Sequence, residues 1–134
     1  EVARRICAAP GTADYGAFSV FCQYHTAPEL LFEVPPECFL PAPKVTSAVI
    51  KLVPRQEPPQ ELVEEGLFFQ VVKASFAQRR KTLLNGLTSA FGSRVPKDEL
   101  RAVLAEAGLP ENVRGETLGI PQFAALAAAL SRRL

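Results

Sequence analysis

A polar, proline-rich segment, Pro54–Pro59, divides this chain into two parts of different character. Proline fixes φ and lacks a backbone N–H, so neither a helix nor an inner strand continues through such a segment. Short apolar and β-branched runs before it predict strands among helices, whereas the apolar residues after it recur at helical spacing. We therefore predict two domains, residues 1–55 and residues 56–134, with α/β and all-α character respectively.

The first part contains four predicted elements. They are a helix over residues 1–8 stopped by Pro10-Gly11, a helix from Ala17 to Tyr24 with Ser19 and Gln23 on its polar side, a strand from Glu29 to Val34, and a strand from Ser47 to Val53. The last strand is apolar and β-branched, which predicts a buried strand at the end of a sheet. Two strands do not make a stable sheet alone, so we expect pairing with strands outside these residues, or with each other plus a neighbouring chain.

The second part predicts helices throughout. Acidic residues near 61–65 favour a helix start, since they complement the positive end of the helix dipole. A shorter helix is predicted from Lys97 to Ala107, ended by Gly108, and a last one from Pro121 to Arg133. The predicted core stripe consists of Phe68, Val72, Phe76, Leu83, Leu87 and Ala90.

The loop before the second strand carries a candidate site. Pro41 and Pro43 stiffen it, Phe39 begins it, and Lys44 follows them. An apolar ring near a cation and hydroxyl groups suits a nucleobase with its phosphate. From these residues alone, a proline-rich turn whose Phe39 fills the core is an alternative interpretation.

Positive charge is concentrated in residues 73–101, although the whole chain carries a formal net charge of only +1. Only Asp98 and Glu99 oppose it within that range. Such a local excess is typical of a surface that binds an anionic partner, and an ordinary solvated helix face is the alternative. The basic residues are Lys73, Arg79, Arg80, Lys81, Arg94, Lys97 and Arg101.

Arg79 and Arg80 require separate treatment. At about 100° per residue they flank the apolar stripe, whereas Lys81 faces outward and is well placed for phosphate contact. Either the helix breaks at this point, or one arginine is partly buried and paired with a carboxylate such as Glu116. The sequence leaves open which of the two would be structural.

Metal-binding and membrane-spanning functions are disfavoured. Cys7, Cys22 and Cys38 form no C-x-x-C pair, and His25 is the only histidine, so we predict reduced thiols, a structural histidine and no zinc site. No apolar run reaches the roughly 18 residues that a membrane span needs.

Four ordered motifs resemble the rRNA adenine N6,N6-dimethyltransferases of the KsgA type, which act on small-subunit rRNA. The resemblance spans nearly the whole chain. The motifs lie at Glu1–Ile6 with Tyr15–Tyr24, at Phe39–Val49, at Phe76–Leu83, and at Arg114-x-Glu116-x-Leu118.

This resemblance implies the last helices and strands of a Rossmann-like methyltransferase domain followed by a small helical RNA-binding domain. It further implies S-adenosylmethionine as cofactor, small-subunit rRNA and the ribosomal particle as partners, and a cytoplasmic location. Phe39 would stack on the target adenine. The RNA-binding residues would be Lys44, Lys73, Arg79, Arg80, Lys81, Lys97 and Arg101.

Two motifs of that family are missing from the chain. Its eight glycines form no G-x-G run, and no Asn or Asp begins an x-Pro-aromatic tetrapeptide. We therefore expect the C-terminal part of a longer enzyme, inactive alone, with the cofactor site mostly elsewhere. The alternatives are a non-catalytic RNA-binding or ribosome-assembly module, and a large-subunit rRNA methylase of the erythromycin-resistance type.

Overall fold

The computed structural model describes residues 2–38, 40–41, 46–57, 64–78 and 80–134. Helices α1 (Val2–Cys7) and α2 (Ala17–His25) come first, as predicted. The turn between them passes through Gly11 at φ +84°, a conformation that glycine adopts without steric cost.

Ser19 and Gln23, which were predicted to lie on the polar side of α2, both bond to backbone groups. Ser19 is fully buried, and its hydroxyl accepts a hydrogen bond from the Gly16 N–H at 3.1 Å. The Gln23 amide donates to the carbonyls of Ile6 at 2.9 Å and Ala8 at 2.7 Å. These carbonyls lie at the end of α1, where a helix leaves acceptors without partners, so polar side chains are needed inside.

Strands β1 (Thr26–Val34) and β2 (Ser47–Pro54) pair with each other in an antiparallel hairpin. The register runs from Thr26 opposite Pro54 to Val34 opposite Ser47. Both predicted strands are confirmed, with β1 starting three residues early. The expected burial of β2 was wrong within these residues, because a two-stranded ribbon leaves most of its side chains open to solvent.

Four helices follow the linker: α3 (Glu65–Phe76), α4 (Leu83–Phe91), α5 (Lys97–Glu106) and α6 (Ile120–Ser131). The predicted helices at Lys97 and Pro121 are confirmed. The apolar stripe is divided between α3 and α4, which confirms a helix break near residue 80. Ala90 is exposed, so its placement in the core was wrong.

A single hydrophobic core crosses the predicted domain boundary. Tyr15, Val20 and Tyr24 from the first part belong to the same buried cluster as Phe68 and Phe123 from the second. The Tyr15 hydroxyl donates to the Leu118 carbonyl at 2.7 Å, and burial raises the pKa of Tyr15 to about 12. The division at residue 55 remains a prediction.

Candidate nucleic-acid interface

The loop that carries Phe39 and Lys44 is described only at its edges, because both residues lie outside the described part of the chain. A short 3-10 turn, Pro36–Cys38, precedes it, and Thr46 is exposed where β2 begins. The roles of Phe39 and Lys44 therefore stay predictions.

The turn between α3 and α4 presents Arg80 and Lys81 to solvent. The Lys81 N–H donates to the Gln78 carbonyl at 3.0 Å, and the Thr82 hydroxyl accepts from the Asn85 N–H at 3.3 Å, which caps α4. Neither cation has a carboxylate partner among the described residues. Both are therefore available to an anionic ligand.

Glu116 does not pair with Arg80. Its nearest cation among the described residues is Arg114, at 4.0 Å between Nη1 and Oε1. Arg79 lies outside those residues, so a pair between Arg79 and Glu116 stays a prediction.

The segment before α6 holds this turn against the core. The Leu83 N–H donates to the Val113 carbonyl at 2.8 Å. A Cβ on Gly115 would lie 2.7 Å from the Cβ of the buried Ser75, so only glycine permits this approach. The basic turn is thus fixed to the helical core on both sides.

Lys97 and Arg101 line a different hollow, together with Thr82 and Asn85. Arg101 is bound by two carboxylates, with Nη1 at 2.6 Å from Asp98 and Nε at 2.9 Å from Glu111. These contacts offset its charge, whereas Lys97 has no such partner in the described part of the chain. Glu111 lies outside the basic range, so a count over residues 73–101 could not reveal this neutralisation.

A third basic feature is a groove of about 450 Å³ between α3 and α4, which we call the α3–α4 groove. Lys73 and Arg94 line it, together with Gln70, Ser89, Phe91 and the small residues Ala74, Ala77, Gly86 and Ala90. Sequence reasoning counted Arg94 in the charge excess but did not select it as a site residue. Sequence spacing does not predict that Arg94 lies near Lys73. The glycine inside α4 was the one indication that another helix packs closely against α4.

His25 ends α2 as an exposed residue beside aromatic rings, and its structural role stays a prediction. Its ring centroid lies 4.6 Å from that of Phe21, 5.1 Å from that of Tyr24 and 5.8 Å from that of Phe69.

Burial, together with the nearby Cys7, raises the pKa of the Cys22 thiol. The described residues contain no cluster of three potential metal ligands, and none of their helices is long and apolar enough to cross a membrane.

Comparison with known sequences identifies close relatives. The sequence model described as "Ribosomal RNA adenine dimethylase" matches residues 1–128. A Geobacillus kaustophilus protein named "Ribosomal RNA small subunit methyltransferase A" is 51% identical over 98% of this chain, and a Streptococcus gordonii protein of the same name is 50% identical over 97%. The chain covers 45% of each of these two relatives, so it spans under half of their length.

Solved structures agree on the fold. A dimethyladenosine transferase from Plasmodium falciparum superimposes with a TM-score of 0.81 at 19% identity, covering 98% of this chain and 54% of that one. The 23S rRNA methyltransferase ErmE gives a TM-score of 0.62 at 23% identity, covering 97% and 51%. The predicted fold class is confirmed: helices and a small sheet that form part of a methyltransferase fold.

Proposed function

The chain belongs to the ribosomal RNA adenine dimethylase family, and we propose that the complete protein dimethylates N6 of two adjacent adenines in small-subunit rRNA during ribosome maturation. The observation that carries the proposal is the family match over residues 1–128, supported by about half-identical relatives named for the small subunit. The run Gln78–Lys81 also favours the small-subunit branch over the resistance-type methylases. We place the protein in the cytoplasm with its substrate, the immature small subunit.

The proposed reaction needs an extruded base and an activated amine. The exocyclic amine of adenine is a weak nucleophile because its lone pair is delocalised into the ring, so acceptors must orient it toward the methyl group. The base must first leave its stack. We assign Phe39 to stack on the extruded adenine, a contact worth about 1–3 kcal/mol by analogy with other base–aromatic stacks.

S-adenosylmethionine is the methyl donor that the family implies. The glycines of this chain are scattered, and no glycine-rich loop follows either of the two strands in the described part of the chain, so these residues do not fit a cofactor cradle. We therefore assign the residues of this chain to binding of the RNA substrate. Arg80, Lys81 and Lys97 are exposed and unpaired within the described residues, and we assign them to rRNA phosphates together with Lys44, Lys73 and Arg79. Arg101 is the weakest candidate because two carboxylates already bind it.

The test is a methylation assay on unmethylated small subunits with the complete protein. We expect dimethyladenosine at two adjacent rRNA positions, detected by mass spectrometry of nuclease fragments. Absence of methyl transfer, with the protein still bound to the subunit, would favour a non-catalytic assembly module.

The cofactor assignment has its own measurement. Calorimetric titration of S-adenosylmethionine should show binding to the complete protein and none to residues 1–134 alone. Micromolar binding by the 134-residue chain would contradict the view that the cofactor site lies mostly elsewhere.

A further inference from the structure

The α3–α4 groove exists because the two helices approach very closely at one point. A Cβ on Gly86 would lie 2.6 Å from the Ala74 carbonyl oxygen, so only glycine permits this crossing. The neighbouring Ala77 and Ala90 have short side chains and leave the groove unfilled. The result is an open channel with a floor of methyl groups and backbone, to which another chain's backbone has access.

The groove carries two positive charges, from Lys73 and Arg94. Lys73 and Arg94 are exposed, and neither has a carboxylate partner among the described residues. None of the described Asp or Glu residues lines the groove. Five other arginines in the described part of the chain do pair with carboxylates: Arg4, Arg101, Arg114, Arg132 and Arg133.

The side chains of the groove offer complementary contacts to RNA. The Arg94 guanidinium carbon lies 5.3 Å from the centroid of the Phe91 ring, an interaction that orients the arginine while leaving its N–H groups free for a phosphate. Gln70 and Ser89 add neutral donors and acceptors of the kind that contact a ribose 2′-hydroxyl. Because Ala77 lines the groove and Arg80 follows it closely in sequence, groove and basic turn are contiguous along the chain.

We propose that the α3–α4 groove binds a single-stranded segment of rRNA backbone, with phosphates at Lys73 and Arg94 and the ribose over the small residues of the floor. This inference rests on the proposed function and extends it to a site that includes Arg94. A short stretch of one strand suits the groove because its volume of about 450 Å³ is that of a small-molecule pocket.

The experiment compares the wild-type complete protein with its variants for binding to protein-free small-subunit rRNA and to small subunits over a series of salt concentrations. Lys73→Gln with Arg94→Gln should weaken both complexes several-fold and lower the log–log salt slope by about 1.4, the value for two contacts on a single strand. Ala90→Leu keeps every charge and should also weaken binding several-fold by filling the groove. Because Ala90 is exposed, this variant is expected to fold normally.

Lys51→Gln, compared with Lys73→Gln alone, is the matched control, because each removes one exposed lysine charge without a carboxylate partner among the described residues, and Lys51 lies outside the groove. Its binding should equal that of the wild type. An unchanged salt slope in a folded Lys73→Gln/Arg94→Gln variant would overturn the inference. Weakening confined to intact subunits, with protein-free rRNA bound normally, would also overturn it, since the groove would then receive a ribosomal protein.

Failure of the inference is distinguishable from failure of the proposed function. If the wild-type protein methylates rRNA and the groove variants bind rRNA as the wild type does, the inference about the groove is wrong and the proposed function stands. Absence of methylation by the wild-type protein refutes the function whatever the groove variants do.

Discussion

The β1–β2 hairpin and the α3–α6 helices use similar apolar residues with opposite results. In the hairpin, Leu31 is 48% exposed and Phe32 is 55% exposed, while Phe68 and Phe123 in the helices are fully buried. Four helices can enclose a core between them, whereas two strands have two open faces. Exposed apolar surface of this extent is typical of a face that contacts something else. Within the described residues the helices bury their apolar side chains together with those of α2, whereas the hairpin leaves its own exposed.

The largest expected effect concerns this difference in burial. Phe123→Ala should lower the free energy of unfolding of the 134-residue chain by about 3–5 kcal/mol, because it leaves a cavity in the core. Phe32→Ala should cost under about 1 kcal/mol in the same chain, since half of the side chain is already in water. Urea denaturation followed by circular dichroism measures both.

The same pair of variants sharpens the comparison in the complete protein. If a further surface covers the hairpin, the cost of Phe32→Ala should rise toward the roughly 1.5–3 kcal/mol of full burial. An equal, small cost in both forms would show that the hairpin is exposed in the whole protein.

The second prediction tests whether Phe39 acts in methyl transfer while the basic residues of the helices act in rRNA binding. Phe39→Ala should lower the methylation rate of the complete protein by about 5- to 160-fold, which corresponds to a lost stack of about 1–3 kcal/mol. Subunit binding should change little, and Phe39→Tyr should be mild because it keeps the ring. A wild-type rate for a folded Phe39→Ala protein would show that Phe39 only fills space.

A smaller effect is expected from the basic residues. Lys81→Gln with Lys97→Gln should weaken subunit binding and lower the log–log salt slope by up to about two units, since each lost phosphate contact removes about one. The affinity for S-adenosylmethionine should not change. Arg101→Gln alone should alter the slope least, because its charge is already offset by Asp98 and Glu111.

The smallest effect concerns acid stability at the end of the chain. Hydrogen bonds from Arg133, and then from Arg132, lower the pKa of Glu106 to about 2. Since this pKa lies below that of an unfolded glutamate, the stabilisation is complete above about pH 4.5 and is lost as the pH falls toward 2. Glu106→Gln should flatten the dependence of Tm on pH in that window. Glu57→Gln, an exposed carboxyl without an ion pair among the described residues, should leave the dependence as it is in the wild type.

Periodicity and proline placement predicted the elements well because both act locally. The helix break near residue 80 was one of two alternatives, since angular position alone does not distinguish a break from burial of Arg79 or Arg80. Burial was harder to predict, because it depends on what lies opposite a residue. Ser19 is buried and bonds to backbone groups, while Ala90, on the same helix as the buried Leu87, is exposed and lines the groove.

The candidate site was less predictable than the fold. The sequence revealed a cluster of positive charges. It did not reveal which of these charges pair with carboxylates and which stay available to a ligand. Glu111, from the segment after α5, pairs with Arg101. Arg94 lines the same groove as Lys73, although the two residues are far apart in the sequence. Both relations arise from tertiary packing, which a single sequence does not encode in any short spacing.

The contacts made by the loop between α1 and α2 have a mechanical consequence. The Gly11 N–H donates to the Glu116 carbonyl at 2.7 Å, and the Tyr15 hydroxyl reaches Leu118, so this loop is joined to the segment just before α6. These two bonds and the shared core cross the linker, and they prevent the segments on its two sides from rotating independently. On the proposed function, such a rigid frame keeps the anchoring of the rRNA backbone at a constant distance from the strand that follows the Phe39 loop.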